Sequence, residues 1–433
     1  MSRLAILGAR LVDPASGRDE IGDVLVENGK IAALGAGIFA DGIPEGTENI
    51  EADGLVLAPG LIDMRVVTGE PGTEHKETLA SAGRAAAAGG VTTMVVMPQT
   101  NPVIEDISLV DHIRRSGREN SPVNVLIAGA LTKGLNAEEM TELGLMSDAG
   151  AVMFSNGDTP ISDTRLMRRI MAYSSTFNAL IAHRPMDPYL SQGSCAHESD
   201  YSSRLGLPAA PAVSERIIAE RDIALAELTG GRTLLDLISS EETLPAIRRA
   251  KARDLEVAAS VSINHLALNE MDIGDYRSFA KLDPPLRTEN DRKALLNAID
   301  DGTIDVIVSS HDPRPAGEKR RPFAEASAGA VGLEILLSAG LTLVADGQMD
   351  LMAFLAAVTC NPAALLGLEQ GNLEEGAPAD LILFDAGAPW LCDAEMLASK
   401  SKNTPFDGRH MQGKAVMTIC NGKIVFERRT TAN

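Results

Sequence analysis

A chain of 433 residues with 45% apolar side chains is long enough for one barrel-sized domain and a smaller companion. Its formal net charge of -21 sets it against nucleic acid and anionic membrane surfaces, which would repel it, and it holds no run of eighteen apolar residues to span a bilayer. Cys195, Cys360, Cys392 and Cys420 lie far apart with no C-x-x-C pair, which argues against a disulfide framework or a cysteine zinc site and for buried, inert thiols. The segment Met1-Ser2-Arg3-Leu4-Ala5-Ile6-Leu7 leads into a strand pattern rather than a cleavable signal, so a cytoplasmic location is expected.

Residues 1–54 alternate short apolar runs with turn residues, the signature of a small sheet. From Leu55 the rhythm becomes strand, loop, amphipathic helix. Eight candidate strands follow: Leu55 to Val66, Thr92 to Met97, Asn124 to Leu131, Ala151 to Phe154, Ala179 to His183, Thr233 to Ile238, Leu255 to Val261 and Ile304 to Ser309. Helical stretches at Glu77 to Ala88, Ser214 to Leu228, Leu244 to Arg253 and Ala328 to Leu341 fall between or after them, and that alternation predicts a parallel (β/α)8 barrel. The tail resumes short strands at Ala379 to Phe384 and Ala415 to Ile419, with a hairpin signal at Asn421-Gly422. The expected organisation is a barrel over 55–366 and a small β-sandwich assembled from 1–54 and 367–433.

Barrel enzymes place their chemistry at the C-terminal ends of the strands. There the chain carries Ala58-Pro59-Gly60-Leu61-Ile62-Asp63-Met64, Glu70-Pro71-Gly72, Met97-Pro98-Gln99-Thr100-Asn101-Pro102 and Asp283-Pro284-Pro285-Leu286-Arg287, with Pro378-Ala379-Asp380-Leu381 in the tail. With these motifs it resembles the dihydroorotases and related cyclic-amide hydrolases of the amidohydrolase superfamily over nearly its whole length. The resemblance implies a His-x-His-x-Arg motif after the first barrel strand, two histidines for zinc and an arginine for the substrate carboxylate. Arg65, Val67 and Gly69 stand in those places. An arginine has no lone pair to offer a cation and valine has no donor atom.

The departures continue along the barrel. Asn156 replaces the metal-bridging aspartate or carboxylated lysine, Leu237 a further histidine, and Ser310 the aspartate of Thr-Asp-His that shuttles the proton. Of the ligand places only His183 and the motif histidine His311 are kept, and a catalytic zinc usually needs three protein ligands. Both then read as hydrogen-bonded residues of the barrel mouth, unless a remodelled site recruits Asp158, Asp187 or Asp312. Arg65 reads as a charge in place of the lost cation, pairing with Glu70 or another acid, or as a ligand for an anionic metabolite. Gln99 and Asp283, where relatives have asparagine, are the other substrate or anion candidates, although 283–287 also reads as a rigid Pro-Pro turn. His197 lies in a polar loop expected to be solvated, His75, His112 and His410 read as surface residues, and His265 as a hydrogen-bonded structural histidine.

The resulting expectation is a non-catalytic dihydroorotase-like protein of pyrimidine biosynthesis with no cofactor. By resemblance it would scaffold or regulate aspartate carbamoyltransferase, and it could also self-associate. The alternatives are an active cyclic-amide hydrolase with a remodelled metal site, using zinc, and an anion sensor built on Arg65.

Overall fold

The computed structural model describes residues 3–428. Eight parallel strands, Leu61–Val66, Val91–Val96, Asn124–Ala130, Ala151–Ser155, Leu180–His183, Arg232–Leu235, Val257–Ser262 and Val306–Val308, lie side by side in chain order. The ring closes at its mouth, where Val66 bridges His311 and the Val67 N–H donates to the His311 carbonyl at 2.8 Å. Helices cover the outside and apolar side chains fill the inside, so these strands are nearly continuous apolar runs. All eight candidate strands are present, as the TIM-like barrel predicts. Among the described residues no helix is long and apolar enough to cross a membrane.

Two expectations about boundaries change. The run Leu55 to Val66 is two strands: Val56–Pro59 pairs with Arg3–Asp13 and with Leu381–Leu391 in the terminal sheet, and only Leu61–Val66 enters the barrel. Gly60 makes the transfer possible, because a Cβ there would lie 2.2 Å from the Thr92 side chain, so the boundary drawn at 54/55 moves to Gly60. The helix expected from Ala328 begins only at Leu336. Before it, Ala330 bridges His311, and Gly332 packs so closely that a Cβ would lie 2.5 Å from the Ser309 carbonyl. Pairing with the last strand outcompetes the helical turn.

The chain ends form one eight-stranded sheet around the buried residues Leu4, Ile6, Leu11, Leu57, Leu383 and Ile419. Its last hairpin turns at Asn421 and Gly422, whose φ angles of 51° and 72° are the left-handed pair that an Asn-Gly turn supplies.

Candidate active site at the barrel mouth

A cavity of about 240 Å³ opens at the C-terminal ends of the strands, bordered by Arg65, Asp158, His265, Asp283, Asp312 and Arg314. Alternation along Leu61–Val66 turns Arg65 into it. The guanidinium, 4% exposed, donates to Asp236 and, at 2.5 Å, to Asp158. The charge-compensation reading of Arg65 therefore describes the geometry, but with different acids from the one named. Glu70 instead accepts from the Leu79 N–H at 2.9 Å and the Ser116 hydroxyl at 3.1 Å, because the loop after the strand turns it towards the start of helix Leu79–Ala88.

Two more arginines join this cluster. Arg184 donates to Asp283 at 2.5 Å and lies 4.0 Å from Asp158, while Arg314 donates to Asp312 at 2.7 Å. Gln99 completes the shell of Asp158, donating at 2.8 Å. Burial favours the neutral form of Asp158, but Arg65, Arg184 and Arg314 outweigh it and hold the carboxyl below its usual range. Asp312 moves the other way: burial raises it, Arg314 offsets only part of this, and the neighbouring charge of Asp158 raises it further. Two carboxylates in one cavity, pushed apart in acidity, form the arrangement that acid–base chemistry uses. Arg65, Arg184 and Arg314 together face Asp158, Asp236, Asp283 and Asp312.

The positions singled out from the sequence have distinct fates. Val67 borders the cavity. Gly69 lies outside it, and a Cβ there would sit 2.1 Å from the Thr73 carbonyl and 2.7 Å from that of Glu77; the loop has closed on the backbone where the resemblance implies an arginine. Asn156 is saturated, accepting from Thr132 at 2.7 Å and donating to the Thr159 carbonyl at 3.0 Å. Leu237 and Ser310 keep left-handed backbones, φ 58° and 52°, at about 1 kcal/mol of strain each. His183 is spent on both ring nitrogens: Nδ1–H donates to Asp222 at 2.6 Å and Nε2 accepts from the Ile161 N–H at 2.9 Å. His311 accepts at Nδ1 from the Gly332 N–H at 3.2 Å, but its buried Nε2 has no hydrogen-bond partner among the described residues, with Glu77 3.6 Å away.

Of the acids offered for a remodelled site, Asp158 and Asp312 reach the mouth. Asp187 instead caps the turn at Tyr189 and Leu190. His265 faces the cavity and bonds to the Pro284 and Pro285 carbonyls, and burial drops its pKa to about 4. His197 is buried rather than solvated, because Ala196–His197 pairs with Ala209–Ala210, and its Nδ1 accepts from Arg287 at 3.1 Å. His75, His112 and His410 are exposed, and the four cysteines are free thiols, three of them buried.

Sequence reading named none of Asp236, Arg184, Arg314 and Asn403 as site residues. Asp236, directly after the strand Arg232–Leu235, was the most findable. Asn403, from beyond the barrel, donates to the Asp312 and Gly329 carbonyls and accepts from the Arg314 N–H, holding the strand-end loop in place.

Zinc is the cofactor that the resemblance implies, and the donor set does not fit it at the inherited place. A guanidinium occupies the position between Asp158 and Asp236, His183 has no free lone pair, and among the described residues no three His, Cys, Asp or Glu side chains are grouped to hold a metal ion.

Residues 54–243 match the family described as Dihydro-orotase-like, and residues 239–425 the Amidohydrolase family. The chain is 39% identical to a dihydroorotase of Geobacter metallireducens, over 98% of this chain and 100% of the relative. It is 38% identical to a dihydroorotase of Anaplasma phagocytophilum, over 98% and 95%. The fold is that of an L-hydantoinase from Arthrobacter aurescens, TM-score 0.90 at 23% identity, covering 100% and 98% of the two chains. These findings correct two expectations. A non-catalytic protein is not what end-to-end kinship with proteins named dihydroorotase supports, and the expectation of no cofactor falls with it, since the family's chemistry is that of zinc hydrolases. What the misfit at Arg65 marks is a departure inside a catalytic family: the chain belongs to the dihydroorotase-like family of the amidohydrolases.

Proposed function

We propose that the protein hydrolyses a cyclic amide of the dihydroorotate or hydantoin type in the barrel-mouth cavity. The observation that carries this reading is the 39% identity to a dihydroorotase over essentially both whole chains. The residues at the inherited place do not fit zinc, and the roles below fall to the chain's own acids and arginines.

In this reading water attacks the ring carbonyl carbon, its proton passes to the Asp312 carboxylate, and the C–N ring bond breaks as Asp312 returns that proton to the leaving nitrogen. A carboxyl with a raised pKa is the stronger base once ionised, which suits Asp312 and not Asp158. Arg65 and Arg314 supply positive charge near the oxygen where negative charge develops. Asp158 and Asp236 hold Arg65 in place.

The test is loss of ring absorbance with dihydroorotate, dihydrouracil and hydantoin, measured with zinc added and again after chelation. At least one ring should open above the uncatalysed rate. D312N keeps the side-chain shape and should lower that rate about 100-fold or more, with the wild-type rate falling as acid protonates Asp312. No turnover of any ring under either metal condition would remove the proposal. Association with aspartate carbamoyltransferase, implied by the resemblance, is a separate proposal: co-elution of the mixed proteins supports it and separate elution rejects it.

A further inference from the structure

Residues 312–330, between the last barrel strand and the helix Leu336–Ala345, run along the rim of the mouth as a strap. Asp312, Arg314 and the run 327–330 border the cavity from the strap, and Leu282 and Asp283 border it from the segment opposite. Strap and segment meet at Lys319, which ends the short helix Ala316–Lys319. This side chain is only 1% exposed. Its Nζ donates to the carbonyls of Ser278 at 3.1 Å and Lys281 at 3.2 Å on the segment, and of Ser327 at 2.9 Å further along the strap. All three bonds go to carbonyls and none to a carboxylate. The Ser278 hydroxyl donates back to the Lys319 carbonyl at 2.6 Å, and Lys281 Nζ to the Ala324 carbonyl at 2.8 Å.

The charged groups facing Lys319 are Asp312, Arg314 and Glu318 on the strap and Lys281 on the segment, two of each sign. With no acid bonded to it, the buried ammonium is left with the cost of losing water, and burial takes its pKa from 10.5 to about 7. Once the strap lifts and the amine meets solvent, its ordinary value returns. The shut strap therefore binds fewer protons than the open one between about pH 7 and 10.5, and closure strengthens as pH rises through that window. A neutral amine keeps two hydrogens for three carbonyls, a smaller loss than burying a charge. We propose that the strap is a proton-operated gate of the barrel mouth: with Lys319 neutral it is held shut, and with Lys319 charged it opens to solvent. The gate goes beyond the ring-opening reading and is the same whichever ring, if any, is turned over.

Hydrogen exchange of the full chain, read by mass spectrometry at about pH 7 and about pH 9 and corrected for the intrinsic rate, tests the gate without substrate. At pH 7 the amides of 316–329 should exchange about tenfold or more faster than those of the barrel strand Leu180–His183. Their protection should then rise about tenfold or more on going to pH 9. K319M, whose side chain does not titrate, should show the same protection at both pH values, whatever its level. Should K319M fail to fold, the wild-type comparison decides alone. Strap exchange no faster than that of the strand at pH 7, wild-type protection that stays level or falls between the two pH values, or an equal rise in K319M would each overturn the proposal.

Discussion

The two histidines kept from the family's pattern sit on opposite sides of the same mouth and have opposite fates. At His183 both ring nitrogens are bonded, Asp222 also takes Arg221 at 2.6 Å, and Asn156 is likewise saturated, the Nε–H of the next residue, Arg184, being the open group on that side. On the His311 side the buried Nε2 and the Arg314 Nε have no partner among the described residues, and Asp312 is pushed towards its neutral form. Saturated polar groups hold a fold together, whereas open ones hold potential for binding. The same kind of residue at equivalent strand ends has become framework on one side and stayed available on the other.

Breaking the framework side should produce the largest change in stability. D222A removes the acceptor of His183 and of Arg221 from a fully buried position, and should cost about 3–5 kcal/mol in urea unfolding at pH 7. A loss below about 1 kcal/mol would mean that His183 is not locked, and the contrast between the sides would dissolve.

The seam between the first and last strands gives a pH-dependent test. Asp63 accepts from the Arg65 and Ser309 N–H groups, but burial dominates and lifts its pKa to about 6 from 3.8. The folded state therefore binds the extra proton, and stability is full below about pH 4 and lost as pH rises through about 6. Two units correspond to roughly 3 kcal/mol as a ceiling. Wild type should lose stability against D63N across that window in pH-resolved thermal unfolding. A constant difference would show that Asp63 ionises normally.

The smallest effect belongs to the open side. H311N can keep an acceptor for the Gly332 N–H while giving up an Nε2 that makes no hydrogen bond and stands 3.6 Å from Glu77, and should cost about 1 kcal/mol. A loss as large as that of D222A would erase the distinction.

Apolar runs and their flanking turns made the eight strands and the terminal sheet legible, because burial on both faces leaves a mark in local composition. Gly60 and residues 328–335 were misread where a close approach to Thr92 or Ser309, invisible along the chain, decides the backbone path. Asp158 and Asp312 were among the named candidates. The Arg65–Asp236 contact, spanning 171 positions, has no local trace. The functional reading went astray for a related reason. Substitutions at single strand ends counted as losses, while the ring of arginines and aspartates that replaces them exists only once the barrel has closed.

Residue 69 also limits which substitutions the mouth accepts. With the carbonyl oxygens of Thr73 and Glu77 lying where a β-carbon would have to go, no larger amino acid fits there until residues 73–77 have first moved away. Restoring histidines at 65 and 67 would therefore leave the old arginine position shut. A side chain at 69 is reachable only through a rearranged loop.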